Sequence, residues 1–571
     1  MVVLAAINAK YIHSNLAVYT LKAYAQKQSV GDRTEAPVKI AEYTINQPME
    51  EVLASLYEMQ ADVIAFSCYI WNVEYICRIA SQLKKIAPEL RLWIGGPEVS
   101  YHPEIFLQEH PYFEVVFLGE GEQTFSKAIQ GIPWEKMDGV AYWKENQVRI
   151  RPATTLVDLD ELPFIYQDME QFEHRIVYYE SSRGCPFRCS YCLSSIDKRV
   201  RFRSMELVKR ELQFFLDAKV PQVKFIDRTF NCNAHRALEI WKYLKEHDNG
   251  ITNFHFEIAA DLITDEQIAC MAGMRKGLIQ LEIGLQTTNP DTVKAIDRAM
   301  TIEQIRSNML RIHQLNNIHQ HLDLIAGLPY ENLEQFRQSF DDAYAMQPEQ
   351  LQLGFLKVLK GSKMEEQAEQ YGLRYMNIPP YEVLATKWMP YADLRILKRI
   401  EDVLEVYHNS GQFRYSLAYL LQSQQSPFDF FRKLSDYYKR NGLDGLQFKR
   451  LDRYNILRDF SIIEMKQRPD WKLERMENCL LHDLYLRENL KKRPDWAKDY
   501  TEQKKAFALF FRNAGYTGKQ MHLEPQQEQG GRFYLLYDYE HRNPLDSSAA
   551  VRVIGEQEFQ ETVTGNKGRT E

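Results

Sequence analysis

The feature that most constrains this chain is an alternation, run through twice, of short apolar stretches with helix-length amphipathic ones. Such text folds as parallel strands whose crossovers cover a sheet. In the first series the predicted strands are Val2 to Ile7, Val38 to Tyr43, Val63 to Ser67, Leu92 to Gly95 and Val115 to Leu118. Helices are predicted between them at Leu16 to Gln26, Met49 to Met59, Glu74 to Ile86 and Thr124 to Ile129. This is an α/β, doubly wound parallel sheet over residues 1–138, and ligands of such sheets sit at the carboxyl ends of the strands. Those ends carry Asn8 to Asn15, Cys68 to Asn72, Gly95-Gly96-Pro97 and Gly119-Glu120-Gly121-Glu122.

Residues 139–173 break the pattern and are read as a linker, in which Val140 to Trp143 and Val148 to Ile150 could pair as a hairpin. The second series follows over 174–377, with strands predicted at Ile176 to Glu180, Val223 to Asp227, Phe254 to Ile258, Ile279 to Gly284, His321 to Ala326 and Leu351 to Lys357. Six units are too few for a closed eight-fold barrel and suit a partial (β/α)6 barrel. After Ile378-Pro379-Pro380 the text becomes aromatic and helix-forming, so 378–555 is expected to be mainly α-helical, with one strand-like run at Phe533 to Tyr537. The end, 556–571, is expected to be disordered.

Three of the eight cysteines lie within eight residues, Cys185-Pro-Phe-Arg-Cys189-Ser-Tyr-Cys192, just after the strand that opens the second series. Three thiolates on a tight loop can hold three irons of a 4Fe-4S cubane and leave the fourth iron open, whereas a plain electron carrier normally uses four cysteines. A structural zinc site would ask for a fourth Cys or His nearby, and the loop has none. Cys68, Cys77, Cys232, Cys270 and Cys479 stand singly and read as small core residues. Cys232, after the strand end Asp227 to Asn231, is the one that could reach a substrate.

The CxxxCxxC spacing resembles the signature of the radical SAM superfamily. The resemblance implies that the open iron chelates S-adenosylmethionine, and that one electron cleaves the sulfonium to methionine and a 5′-deoxyadenosyl radical. Tyr191 matches the aromatic placed near the adenine. Phe225-Ile226-Asp227-Arg228-Thr229-Phe230-Asn231 looks like the family's second-strand end, Leu281-Glu282 through Gln286 to Pro290 like its fourth-strand segment, and Asp323 to Gly327-Leu-Pro329 like the fifth. By resemblance the SAM-binding candidates are Tyr191, Asp227, Asn231, Glu282, Gln286 and Gly327. The chain lacks a Gly-Gly-Glu-type motif after the second strand, so the Asp227 to Asn231 segment stands in its place.

Ahead of such a core, the glycine turns after the fourth and fifth strands of the first sheet resemble the cobalamin-binding domain of the cobalamin-dependent radical SAM subgroup. This likeness covers 1 to about 375. It implies cobalamin contacts from Asn8, Ser67, Trp71, Gly95, Gly96, Pro97, Gly119, Glu120 and Gly121. The Asp-x-His-x-x-Gly motif that puts a histidine on cobalt in other cobalamin proteins is absent. The subgroup generally binds without one, so His13 reads as a loop hydrogen-bonder; a degenerate domain that binds nothing is the alternative.

The reading is thus a radical SAM enzyme with a 4Fe-4S cluster, S-adenosylmethionine and cobalamin, performing radical C-methylation of an unknown substrate. An oxidative cyclisation or rearrangement like that of the anaerobic magnesium-protoporphyrin ester cyclase is the other reaction that fits. RNA methylthiolation would ask for a second three-cysteine cluster, and the first domain holds only Cys68 and Cys77. A non-enzymatic Fe-S sensor or scaffold is the reading from another class. A low-potential donor such as flavodoxin or ferredoxin is the implied electron partner. If a methyl group passes directly between the cofactors, the two sheets must face each other, with the helical region closing one side and shaping the substrate pocket.

Composition sets outer limits. At 571 residues the chain exceeds the ~250 to 300 that one core supports, and 45% hydrophobic with 26% charged residues is a globular balance. A net charge of -7 argues against a dedicated nucleic-acid binder, and Lys491-Lys492-Arg493 reads as a solvated face. No apolar stretch approaches a membrane span, the start has no basic n-region, and the sparse cysteines suit a reducing, cytoplasmic setting.

Overall fold

The computed structural model describes residues 1–28, 37–422, 426–466, 471–516, 520–528 and 531–565. In the first sheet, β1 (Val2–Asn8), β2 (Val38–Thr44), β3 (Val63–Ser67), β4 (Arg91–Gly95) and β5 (Val115–Phe117) pair in parallel in the order β2-β1-β3-β4-β5. Alternate residues feed two cores. Val3, Ala5, Ile7, Ile64 and Phe66 pack with the helix Val73–Ile86, while Val2, Leu4, Ala6, Val63 and Ala65 pack with Leu16–Gln28 and Glu122–Ile129. Burial on both faces is why these strands read as unbroken apolar runs. The strand order reverses between β1 and β3, so the loops after those strands flank the natural ligand crevice.

The hairpin expected in the linker forms, as β6 (Val140–Lys144) and β7 (Gln147–Arg151), but it joins the first sheet. It pairs antiparallel to β5, with Val140, Ala141 and Tyr142 buried, and so covers an edge that would otherwise expose backbone donors and acceptors.

The second sheet is parallel and in sequence order: Val177–Tyr179, Gln222–Phe225, Asn253–Ile258, Ile279–Gln286, His319–Ala326 and Gln350–Phe355. Its two ends do not meet, which makes it an open barrel. Phe225, Phe254, Phe256, Leu281, Ile283, Leu322 and Leu353 belong to the core shared with the surrounding helices. The intervening positions Tyr178, Lys224, His255, Glu257, Glu282, His321 and Asp323 share the opposite, inner face by strand alternation and register.

The remainder is mainly helical, with helices that include Tyr391–Leu404, Pro427–Arg440, Arg450–Met465 and Leu473–Arg487. The run at Phe533 to Tyr537 is the middle of a longer strand, Gly531–Arg542, between Met521–Glu528 and Ala549–Gly555 in an antiparallel sheet. The expected disorder from 556 is corrected over Glu556–Thr564, which is a helix because Phe559 is buried against Tyr534, ring centroids 4.0 Å apart, and Phe510. Residues 566–571 lie outside the described residues.

Helix Tyr391–Leu404 runs beside the last barrel strand, and Asn409 then bonds both backbone groups of Leu351 at that strand's start, each at 2.9 Å. The turn at Pro544-Leu545 approaches Gly277, ahead of Ile279–Gln286. Helix Tyr391–Leu404 therefore runs from the carboxyl ends of the last two strands, where Leu394 nears Gly327 and Lys398 lies over Phe355, to the amino ends, where Asn409 binds Leu351. After the last barrel strand, the segment from Lys360 to Tyr381 touches the first domain at Glu98, Tyr101 and His102.

Candidate functional site

The cysteine loop leaves the strand Val177–Tyr179 through Ser181 and Ser182, and Ser182–Arg183 forms a short ladder with Arg201–Phe202. Gly184, at φ +97°, is obligatory, since a Cβ there would overlap the carbonyl of Arg199. Cys185 and Cys189 are buried and Cys192 is half-buried. Ser195 Oγ donates to the carbonyls of Cys189 and Cys192 at 2.9 and 2.6 Å, and Ser190 N donates to Ile296 O at 2.9 Å. Among the described residues no three His, Cys, Asp or Glu side chains converge on a single-ion site.

Arg298 is the residue that sequence reasoning missed. Its Nη1 lies 3.4 Å from Cys189 Sγ and 3.1 Å from Tyr191 Oη, and its Nη2 donates to Gly284 O. A half-buried guanidinium against a loop of three thiols supplies countercharge and a hydrogen bond to sulfur, so the donor set fits a cubane that takes one thiolate per iron. Thr229 Oγ1 lies 3.5 Å from Cys185 Sγ. Cys232 senses Cys185 and Asp227 electrostatically, though burial is the main reason its thiol is pushed up.

Three of the expected SAM-binding residues turn out to be spent on internal contacts. Asp227, 1% exposed, accepts from Ser181 N at 2.8 Å, Ser181 Oγ at 2.6 Å and Ser182 Oγ at 2.7 Å, so it braces the approach to the cysteine loop. Asn231 pairs with both backbone groups of Ala259, at 2.8 and 2.9 Å. Gly327, at φ +83°, makes room for Val383, whose Cγ1 would lie 2.6 Å from an added Cβ. In each case the polar or small residue serves the chain's own packing at a crowded strand end.

Glu282 faces the barrel interior. Lys224 Nζ lies 3.0 Å and His255 Nε2 3.1 Å from its Oε2; burial opposes its charge, but these partners prevail and hold the carboxyl at about 2. Beside it Glu257 has its pKa pushed up to about 7 by burial, against the pull of Arg228. Gln286 differs from all of these: it takes a left-handed φ of +71° at the strand end, and its Oε1 is buried without a partner. A strained residue with an unsatisfied buried acceptor fits a site that a polar ligand completes. Gly284 leaves the space that the Gln286 amide occupies, since a Cβ there would push Gln286 Nε2 aside.

In the first domain the loops after β1 and β3 are knit together by an asparagine that sequence reasoning also missed. Asn72 Nδ2 donates to Ile7 O at 2.9 Å and Ser67 O at 3.1 Å, while its Oδ1 accepts from Tyr69 N at 2.7 Å. Its place just before the amphipathic stretch Val73 to Ile86 was the available signal. Asn8 Nδ2 donates to His13 O and Glu42, and Ser67 Oγ accepts from Asn15 at 3.3 Å. Trp71 stacks on Tyr69 at 4.4 Å and 7°, and remains 44% exposed along with Tyr11 at 65% and Ile12 at 45%. Large apolar side chains left open at a crevice edge fit a bulky, partly apolar ligand.

Gly95 closes on Phe117, and Gly96, at φ +127°, admits no side chain because Cys68 O occupies that space. Pro97 is exposed. The second glycine turn is corrected in role. Gly119 lies under Ala153, Gly121 lies against Leu21, and Glu120 pairs with Arg201 and Arg183, while Glu122 pairs with Arg183 at 2.9 Å. That turn clamps the first domain to the ladder flanking the cysteine loop, so its carboxylates are engaged by arginines.

The carboxyl-end loops of the first sheet pack against the second sheet, the loop after β1 along its first strand and the turn after β5 on the ladder flanking the cysteine loop. His13 Nδ1 lies 2.6 Å from Tyr178 Oη, Ile176 N donates to Ile12 O at 2.7 Å, and Ser14 Oγ to Ile176 O at 3.1 Å. Burial first, then Lys10 and Lys224, depress the His13 pKa. Burial is the main cause raising the pKa values of Tyr69 and of Tyr101, beyond the Gly96 turn, with Cys192 adding to the rise at Tyr101. Two residues of the basic run are paired, Arg493 with Glu524 and Lys492 with Asp495 at 2.9 Å. Among the described residues no helix is long and apolar enough to cross a membrane.

Comparison with known proteins agrees with this layout. A B12 binding domain model matches residues 2–129, the radical SAM superfamily model 179–343, and a model described as a protein of unknown function (DUF4080) 369–547. The chain is 27% identical over 438 residues to the cobalamin-dependent radical SAM methyltransferase TokK of Streptomyces tokunonensis, covering 68% of this chain and 63% of that protein. It is 25% identical over 254 residues to an anaerobic magnesium-protoporphyrin IX monomethyl ester cyclase of Synechocystis, covering 42% of this chain and 51% of that one. The chain thus spans between half and two thirds of these curated relatives. The structure of OxsB with aqua-cobalamin and S-adenosylmethionine superposes with a TM-score of 0.58 at 15% identity, over 84% of this chain and 83% of that one. That of TsrM from Kitasatospora setae, with cobalamin and a 4Fe-4S cluster, also gives 0.58 at 15% identity, over 78% and 99%. Within this one chain a segment matching the B12 binding domain model thus lies ahead of a segment matching the radical SAM superfamily model, the latter holding the open barrel and its CxxxCxxC loop.

Proposed function

We propose that this chain is a cobalamin-dependent radical SAM methyltransferase that places a methyl group on an unactivated carbon. The packing of the first sheet's strand-end loops against the second domain carries the reading. The turn after β4 reaches the cysteine loop through the segment that packs Gly361 on Tyr101 and Met364 on Ser190, the turn after β5 meets Arg183 beside that loop, and the loop after β1 places His13 on Tyr178. When bound, the cluster and cobalamin supply, respectively, the electron that cleaves S-adenosylmethionine and a carrier for its methyl group.

In this reading Cys185, Cys189 and Cys192 hold the cluster, and Arg298 offsets their negative charge. Tyr191 and Gln286 line the S-adenosylmethionine side, with the Gln286 carbonyl available to a ligand donor. Glu282, held as a carboxylate by Lys224 and His255, sets the charge of the barrel interior. Asn8, Ser67, Trp71 and Gly95 to Pro97 line the cobalamin side. The electron comes from a low-potential flavodoxin- or ferredoxin-type donor. Oxidative cyclisation is the second reading, favoured by the likeness to the Synechocystis cyclase.

The test is anaerobic reconstitution of the full chain. The expected result is about four irons and one cobalamin per chain, with 5′-deoxyadenosine formed on reduction with S-adenosylmethionine. Cys189→Ala is expected to lose the cluster and this product while still binding cobalamin. A Cys189→Ala protein that still cleaved S-adenosylmethionine would refute the assignment.

A further inference from the structure

The turn from Lys360 to Glu365 touches both candidate cofactor loops. Toward the first domain, Lys360 Nζ lies 2.9 Å from Glu98 Oε1, in the Gly95-Gly96-Pro97-Glu98 turn, and Glu98 is 7% exposed. Tyr381 donates its hydroxyl to the same carboxylate, and the Lys360 ammonium lies 5.1 Å from the centroid of the Tyr381 ring. Gly361, at φ +79°, packs on Tyr101, where a Cβ would overlap the ring. Glu365 Oε2 accepts from Gly361 N at 2.6 Å and lies 3.1 Å from His102 Nε2.

Toward the cysteine loop, Met364 N donates to Ser190 O at 2.8 Å, between Cys189 and Cys192. Lys363 pairs with Asp297, next to Arg298 on the Cys189 sulfur. Ser362 caps the turn by accepting from Glu365 N. One short segment, closed by its own hydrogen bonds, is thereby tied to Glu98 on one side and Ser190 on the other. The glycine turn and the cysteine loop come from different sheets, and nothing in either sheet's own ladder sets the distance between them.

We propose that residues 360–365 form a splint that sets the spacing of the two cofactor loops, with Glu98, Lys360 and Gly361 as positioning residues. The inference rests on the proposed function for its purpose but not for its mechanics. Transfer between two bound groups is steep in distance: a misplacement of about 1 Å can cost on the order of 100-fold in rate. A dedicated spacer is what such a geometry requires.

The test has two arms. In protein without cofactors, Lys360→Met is expected to speed amide exchange in residues 96–102 and 189–192 together, and Lys360→Arg to restore both. Exchange that rises in only one loop, or in neither, would overturn the splint. Gly361→Ala provides the same measurement through a steric change; if neither protein folds, Glu365→Gln, which weakens the contacts of this carboxylate to His102 and to Gly361 N, decides by the same exchange readout. In protein loaded with cob(II)alamin and reduced cluster, pulsed EPR is expected to show a shifted or broadened cobalt-to-cluster distance in Lys360→Met, with each cofactor still bound in full. An unchanged distance would overturn the proposal. A wild-type chain that bound neither cofactor would sink the functional reading alone, since the exchange arm would still decide the splint.

Discussion

Asp227 separates a residue that binds S-adenosylmethionine from one that holds the loop beneath it. Its two oxygens accept three hydrogen bonds, from Ser181 N, Ser181 Oγ and Ser182 Oγ, in a site 1% exposed. Asp227→Ala strands three buried donors at about 1–3 kcal/mol each. The two hydroxyls can turn to other partners but the Ser181 N–H cannot, so about 3–5 kcal/mol is expected. For a domain of this size that is a fall in melting temperature of about 10 °C. Asp227→Asn keeps an acceptor for Ser181 N–H and turns an amide toward two hydroxyls that can accept, so about 1 kcal/mol is expected. Thermal melts and iron content after reconstitution follow the brace, and calorimetric titration with S-adenosylmethionine follows the ligand role. The expected pattern is a destabilised, cluster-poor alanine variant and an asparagine variant with near wild-type S-adenosylmethionine affinity. An Asp227→Asn protein with a wild-type melt and affinity weakened tenfold or more would refute the brace.

Arg298→Gln removes the cation beside Cys189 and is expected to move the cluster's midpoint potential to more negative values, read by EPR-monitored redox titration; no change would detach Arg298 from the cluster. Glu331, fully buried, accepts from Thr287 Oγ1 at 2.6 Å and Ser339 Oγ at 2.9 Å, yet burial raises its pKa to about 7. A carboxyl raised above its unfolded value binds its proton in the folded state, so its contribution is full below about pH 4.5 and is lost as pH rises through about 7. Glu331→Gln is expected to flatten the fall in stability between pH 5 and 8 by up to about 3 kcal/mol, measured by denaturant melts at both pH values. Phe559→Ala is expected to free the helix Glu556–Thr564 from Tyr534, giving fast amide exchange there while the barrel strands stay protected.

Much of the layout lies in local pattern. Runs such as Val2 to Ile7 and Leu322 to Ala326 are apolar on faces that helices cover, so both parallel sheets could be read from the text, and the spacing of Cys185, Cys189 and Cys192 identified the loop. Local pattern also brought Asp227, Asn231, Gly327 and Glu120 to strand ends. What it could not supply was which of them has hydrogen-bonding capacity left over. Asp227 meets Ser181 across 46 residues, Asn231 meets Ala259 across 28, and Glu120 meets Arg201 across 81. A polar side chain's role depends on partners brought to it by the fold, and those partners leave no mark at its own position. The same holds for Arg298, Asn72 and Lys360, each ordinary in its own stretch and consequential only where tertiary structure sets it against Cys189, Ile7 or Glu98. The sequence by itself determined the two series of strands and the clustering of three cysteines on one loop, because periodicity and spacing are local. The tertiary structure alone decided which polar groups keep unused hydrogen-bonding capacity, that the hairpin extends the first sheet, and that the first helix of the helical region runs beside the last barrel strand. Those outcomes are set by long-range pairing and by the burial that no single segment encodes.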